Sequence, residues 1–268
     1  WSECKVIAGT DASHSLTSGG LYISDKDELI AYFTISDYGE ILYQNPRLLA
    51  SISTYGVNWS KRIDLNVPLF MSHSPIKLDN GRLIITGSKK VYYSDNLSGL
   101  ADWVLAANAP YVGEEQPGLV EGDFVVMPDS IYVLYRDVKG ITRLWQQASK
   151  NGESWTAPRK TKFTNGGNKF HFGKLPNGQY YYVGTPDSLR SRTREPLVLA
   201  LSKDGYVYDK NYLIAEDNYV MRYKDGRWKE GQFGYPHTFI HEDQLYVIVS
   251  RQKESVEVIK IDLAQLKE

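Results

Sequence analysis

The chain has 268 residues, 42% of them hydrophobic, a formal net charge of −1 and one cysteine. That length suits one all-β domain, read here as 1–268, and the dispersed charge excludes a general polyanion-binding surface, so no nucleic-acid partner is expected. Cys4 alone excludes an internal disulfide, and no apolar run approaches membrane-spanning length, so cytoplasm, periplasm and secretion are all compatible.

Along the chain a short phrase returns five times, a polar turn and then a run of apolar residues. The turns are Asp25-Lys26-Asp27-Glu28, Asp79-Asn80-Gly81, Pro128-Asp129-Ser130, Pro176-Asn177-Gly178 and Glu242-Asp243-Gln244. The first apolar residue after each is Leu29, Leu83, Ile131, Tyr180 and Leu245, at successive gaps of 54, 48, 49 and 65 residues. Asp-Asn-Gly and Pro-Asn-Gly supply residues that tolerate positive φ and so reverse a strand. The residues that follow are β-branched or aromatic and suit a half-buried pleated surface. A strand is predicted before each of the last four turns, at 70–77, 124–127, 169–175 and 236–241. Another is predicted after each of the five, at 47–53, 91–94, 143–149, 196–202 and 256–263. The sole helical expectation is a short piece at 263–266. A β unit recurring at this interval predicts a β-propeller, whose blades are four-stranded sheets around an axis. A sandwich of hairpins is the alternative, disfavoured by the regular period.

A second phrase follows the third strand of several units. It reads Ser53-Thr54-Tyr55-Gly56-Val57-Asn58-Trp59, then Ser149-Lys150-Asn151-Gly152-Glu153-Ser154-Trp155, then Ser202-Lys203-Asp204-Gly205-Tyr206-Val207-Tyr208. A Ser is followed by Gly three residues on and an aromatic three beyond that. This resembles a degenerate Asp-box, the turn motif of BNR-repeat, sialidase-like propellers. Only the third copy keeps the Asp, and the spacing is one residue short. The role the resemblance implies is structural: the small residues make the turn and the aromatic plugs the core.

The resemblance to the sialidase superfamily extends from about residue 18 onward. Its closing stretch, from Tyr235-Pro236-His237 through Ser250-Arg251-Gln252-Lys253-Glu254, is similar to a subgroup of uncharacterised bacterial sialidase-like proteins. It implies a sialidase-type propeller with about five visible blades of six and an incomplete N-terminal blade. It also implies a glycoside hydrolase that releases a terminal acidic sugar from a glycan. Glu121 opens Glu121-Gly122-Asp123, Arg136 ends Tyr132-Val133-Leu134-Tyr135-Arg136, Arg194 precedes 196–202, and Tyr235 opens Tyr235-Pro236-His237-Thr238. By resemblance, Tyr235 is the nucleophile and Glu121 its base, an arrangement that sialidases use in place of two carboxylates. Arg136 and Arg194 grip a substrate carboxylate through paired N–H donors, with Arg192 in the same cluster.

The family's early Arg and its Asp general acid are not visible, and counting back from Glu121 both belong before Trp1. Either the chain lacks its first blade, with an open or imperfectly closed ring near its start, or the protein works without that chemistry; a start at Trp1 without Met suits a mature form or a partial chain. The rival readings are a polysaccharide lyase acting on uronates and a non-catalytic glycan-binding propeller. In a lyase, Tyr235 or a His abstracts the C5 proton while Arg neutralises the carboxylate.

His171 in Phe170-His171-Phe172 is a candidate acid or base, and His237 and His73 are candidate substrate contacts. Each of these residues has a plainer reading: a solvated carboxylate, a core phenol, a surface Arg, a hydrogen-bonded strand His. No close pair of metal-ligand residues occurs in the sequence, and Cys4 is near only His14, so neither metal nor other cofactor is expected.

Overall fold

The computed structural model describes residues 3, 5–38, 44–186, 194–226, 229 and 231–266. The first sheet contains β1 (His14–Ile23), β2 (Leu29–Asp37), β3 (Gln44–Ser53) and β4 (Ile63–Asp64). The second contains β5 (Ile76–Lys77), β6 (Leu83–Thr86), β7 (Val91–Ser94) and β8 (Val104–Leu105). After the short β9 (Ala107–Asn108) comes the third sheet, of β10 (Leu119–Val126), β11 (Ile131–Asp137), β12 (Arg143–Ser149) and β14 (Arg159–Thr164). β13 (Ser154–Trp155) leaves that sheet to pair with β9 in parallel, which ties the second unit to the third. The fourth sheet is β15 (His171–Lys174), β16 (Tyr180–Gly184), β17 (Leu197–Ser202) and β18 (Lys210–Ala215). The fifth is β19 (Phe233–His241), β20 (Gln244–Arg251) and β21 (Ser255–Asp262).

Within each of the five sheets, neighbours in sequence are antiparallel neighbours in space. This is the up-and-down blade of a propeller, as the period predicts. Leu29, Leu83, Ile131 and Tyr180 each open the second strand of their sheet, and Leu245 is the second residue of β20. The short helical piece is a 3-10 turn over Leu263–Gln265, capped by the Asp262 side chain accepting from Ala264 N.

Two details differ from the sequence expectation. The strand expected over 70–77 is hydrogen-bonded as a ladder only at Ile76–Lys77. Pro75 has no N–H to donate. The residues before it pair elsewhere: Met71 N donates to Thr34 Oγ1 of the first blade and Ser72 N to the Thr86 carbonyl. The N-terminal sheet, expected to be incomplete, has all four strands because β4 closes it. Among the described residues the last sheet has three strands, and β21 is followed by the 3-10 turn.

Apolar packing runs between successive blades. Ile30, Leu48 and Ala50 meet Leu69, Met71 and Ile85. Ile84 and Val91 meet Phe124, Val133 and Trp155. Val125 and Leu144 meet Phe170 and Tyr182, and Val183 and Leu199 meet Phe233 and Val247. Each such side chain contributes about 1.5–3 kcal/mol when fully buried. Among the described residues no core cluster joins the fifth blade to the first, and Phe239, Val256 and Val258 of the fifth are exposed. No described helix is long and apolar enough to cross a membrane.

The Asp-box-like turns act as plugs. Ser149 Oγ accepts from Gly152 N at 2.9 Å, and Trp155, 3% exposed, donates its indole N–H to the Gly152 carbonyl at 3.1 Å. In the third copy Ser202 Oγ accepts from Gly205 N, while Asp204 Oδ1 accepts from Tyr206 N and Val207 N. The sequence reading missed a fourth copy in the second blade. There Ser94 Oγ accepts from Asn96 N and the Trp103 indole donates to the Gly99 carbonyl. Two extra residues between the Ser and the Gly hide it from a fixed spacing.

Candidate functional site

The inner strands β10 and β19 carry the same irregularity. The β10–β11 register shifts between Val120 and Asp123, and the β19–β20 register between Gly234 and His237. At these bulges Glu121 sits at φ 52° and Tyr235 at φ 54°. Arg194, just before the fourth blade's third strand, sits at φ 54°. Left-handed backbone at a non-glycine residue costs of order 1–3 kcal/mol and tends to collect where a side chain must be aimed. All three are residues that the sequence reading singled out.

Their side chains cluster. Arg136 Nε donates to Glu121 Oε2 at 2.5 Å, and Arg136 Nη1 donates to the Gly167 carbonyl at 3.2 Å. The Arg194 guanidinium carbon stands 5.4 Å from the centre of the Tyr235 ring, and Lys253 Nζ is at the same distance from that ring. Gly234 makes this approach possible, because a Cβ there would stand 2.8 Å from Arg194 Nη1. Burial alone would raise the Glu121 carboxyl. The charge and hydrogen bond of Arg136, with Lys169 and Arg194 beyond, bring it below its ordinary value instead. Glu121 is thus an ionised, ion-paired carboxylate at neutral pH. Arg192 lies outside the described residues.

Two residues further along each bulged strand lies a second, deeper group. Asp123 on β10 is fully buried and accepts from the backbone N–H groups of Phe124 at 2.8 Å and Phe172 at 2.9 Å. His73 Nε2 is 3.3 Å from Asp123 Oδ1, and His171 Nδ1 is 3.2 Å from Asp123 Oδ2. His73 and His171 are 7% and 6% exposed, and His237 is half-buried beside them. Burial pushes His73 down to about 4, with Asp123 opposing, and pushes His237 well below its ordinary value. Burial would raise the Asp123 carboxyl, but His73, His171 and Lys169 hold it well down. Lys169 is 7% exposed, and its Nζ has no hydrogen-bond partner. Burial lowers the Lys169 ammonium, partly offset by Asp123 and Glu121.

Sequence reasoning named Glu121, Arg136, Arg194, Tyr235, His73, His171 and His237, and the fold brings all seven to these two adjoining groups. It missed Asp123 and Lys169. Side-chain alternation was the available signal: on a strand, residues two apart share a face, which pairs Lys169 with His171. His73, His171 and His237, remote from one another in sequence, offer ring nitrogens within 4.8 Å of one another. Sequence spacing is the wrong measure in a propeller, where blades far apart in the chain meet at the axis.

Five antiparallel sheets, four of them four-stranded, plugged by Ser–Gly–aromatic turns and carrying a polar cluster between their inner strands, make a β-propeller of the fold seen in sialidases. The model of the BNR repeat-like domain family matches residues 1–247, and the chain belongs to that family. No curated protein matches the sequence. Among solved structures, Trypanosoma rangeli sialidase in complex with sialic acid superposes with a TM-score of 0.66 at 13% identity, over 97% of this chain and 47% of that one. A Dyadobacter fermentans protein of unknown function gives 0.60 at 13% identity, over 90% and 74%. The NanB sialidase of Streptococcus pneumoniae gives 0.59 at 15% identity, over 88% and 39%. The chain spans less than half the length of the two sialidases. At these identities the likeness is one of fold.

Proposed function

We propose that the protein is a glycosidase of sialidase type, which releases a terminal acidic sugar through Tyr235 and Glu121. The observation that carries this reading is the pair of matching bulges that holds Glu121 and Tyr235 in left-handed backbone beside Arg136 and Arg194. The phenol oxygen of Tyr235 attacks the anomeric carbon, its proton passes to the Glu121 carboxylate, and the glycosidic oxygen leaves with the aglycone and takes a proton from water. Water then cleaves the tyrosyl–sugar bond, and the configuration is retained. Arg194 and Arg136 hold the sugar's carboxylate, and Lys169 adds a third positive charge. The sialic acid of the T. rangeli complex exemplifies such an acidic ligand.

A second reading is favoured by the Glu121–Arg136 ion pair, because a carboxylate so stabilised is a weak base. In a lyase on uronate glycans, the cations would neutralise the uronate and Tyr235 would take the C5 proton. The β-elimination product is lighter than the hydrolysis product by one water.

The test uses aryl glycosides of acidic sugars, whose leaving group needs no protonation, and uronate oligosaccharides, with products read by mass spectrometry. Hydrolytic release of an acidic sugar, abolished in Tyr235→Phe while glycan binding and melting temperature hold, supports the glycosidase. An unsaturated product points to the lyase. Binding without turnover in either panel leaves a glycan-binding propeller.

A further inference from the structure

The floor of the site contains groups that glycoside cleavage does not use. His73, His171 and His237 come from the second, fourth and fifth units of the chain. Their ring centroids form an almost equal-sided triangle, with sides of 4.8, 5.0 and 5.0 Å. The planes differ by 13°, 22° and 30°. Such rings are not a column, because the outer two of a column would stand twice as far apart as neighbours. His73 and His171 meet by their edges, with Nε2 and Nδ1 2.9 Å apart, and one nitrogen from each of the three rings lies within 4.8 Å of the others.

The proton count at this triangle is short. His73 Nδ1 lies 2.9 Å from the Ser74 carbonyl, which only accepts, so that nitrogen carries the ring's proton. In neutral His73 this leaves the Nε2 lone pair facing Asp123 Oδ1 at 3.3 Å. A proton on His171 Nδ1 can serve only one of that atom's contacts, with Asp123 at 3.2 Å or with His73 at 2.9 Å, and neither choice supplies one to the His73–Asp123 contact. Two lone pairs at that distance repel unless a proton or a metal cation stands between them.

We propose that His73, His171 and His237, with Asp123 as the anionic partner, bind one divalent transition-metal ion of the zinc or cobalt kind at the propeller axis. Imidazole donors favour these ions over magnesium and calcium, which prefer oxygen. Metal–nitrogen bonds of about 2.0–2.1 Å at a tetrahedral angle put ligand nitrogens ~3.3 Å apart, which lies between the 2.9 Å of the His73–His171 pair and the 4.8 Å within which all three nitrogens fall. The outer partners are those of a built site. The Ser74 carbonyl sets the tautomer of His73, and two backbone N–H groups orient Asp123 while leaving it further lone pairs. Lys169 brings a like charge nearby, and Asp123 and Glu121 offset it. The half-buried side of His237 is where a water or substrate oxygen completes the shell. The proposal does not depend on the glycosidase reading.

The experiment uses the full chain without an affinity tag. The protein is stripped with a chelator and titrated separately with Zn2+, Co2+, Mg2+ and Ca2+, and bound metal is counted by mass spectrometry after desalting. The expected result is one equivalent of Zn2+ or Co2+, a raised melting temperature, visible Co2+ absorption bands, and no retained Mg2+ or Ca2+. His237→Ala, at the least buried of the three, should keep the wild-type circular dichroism and weaken Zn2+ by more than about tenfold. Replacing both His14 and His241, the remaining histidines of the five, should change nothing. Substoichiometric Zn2+ in the wild type, or a full equivalent at unchanged affinity in folded His237→Ala, overturns the proposal. His171→Ala gives a second reading where it folds.

Discussion

At the residue scale, the informative side chains are polar groups held where their backbone is costly. Glu121, Arg194 and Tyr235 all occupy left-handed φ, where glycine would be relaxed. A strained backbone retained at three residues of one cluster points to aim rather than to folding. The guanidinium of Arg194 is the piece of this cluster easiest to test. Arg194→Lys keeps the charge and loses the planar fork, so binding of an acidic sugar should weaken by about 1–3 kcal/mol in calorimetry, with the melting temperature unchanged. Equal affinity would remove Arg194 from the carboxylate grip. Glu121→Gln keeps the shape and removes the charge that Arg136 pairs with. Turnover should fall while the far-ultraviolet dichroism holds; wild-type activity in that variant would exclude Glu121 as the base.

At the scale of elements, the turn after each third strand matters most. Ser149, Gly152 and Trp155 form one device: the hydroxyl accepts from the turn, the glycine at φ 83° makes it, and the indole closes the gap. A Cβ on Gly152 would stand 2.9 Å from Ile84 Cγ2 of the neighbouring blade. Gly152→Ala should therefore cost about 1–3 kcal/mol in urea unfolding. Trp155→Ala leaves a cavity between the second and third blades and should cost about 3–5 kcal/mol. The first copy is less complete, since Ser53 Oγ is buried without a partner. The signal in these phrases was legible because three kept one spacing. The copy at Ser94–Trp103 was not, because an insertion keeps the indole-to-glycine hydrogen bond while breaking the spacing.

At the scale of the molecule, the last blade anchors the segment before it. Arg251, 2% exposed, pairs with Asp217 at 3.0 Å and Glu257 at 2.8 Å, and its guanidinium lies 4.3 Å from the centre of the Phe233 ring. Glu254 accepts from Arg222 N and Tyr223 N and pairs with Lys229. Burial would raise the Glu254 carboxyl, but these partners lower it from 4.5 to about 2. A lowered carboxyl contributes stability that is fully present above pH 4.5 and is lost as pH falls through about 2. Melting temperature should drop across that window, and Glu254→Gln should flatten the drop. An identical pH profile in the variant would show that the carboxylate does not hold this segment.

The sequence alone determined the architecture, and it named most of the side chains that the fold gathers into one polar cluster. The reason is that local physics repeats: five reversing turns before β-branched runs specify five similar sheets, whatever their arrangement. Glu121, Arg136, Arg194 and Tyr235 were legible through the resemblance to sialidases, which implies such residues at those strand ends. Only the tertiary structure decided what these residues meet. The Glu121–Arg136 pair spans fifteen positions and the His73–His171 contact spans 98, and nothing local to either partner encodes the latter. Asp123 and Lys169 stayed hidden because a carboxylate on a strand and an ammonium just before one read as solvated until the fold buries them together. The axis is a property of the ring, and it turns residues remote along the chain into one polar centre.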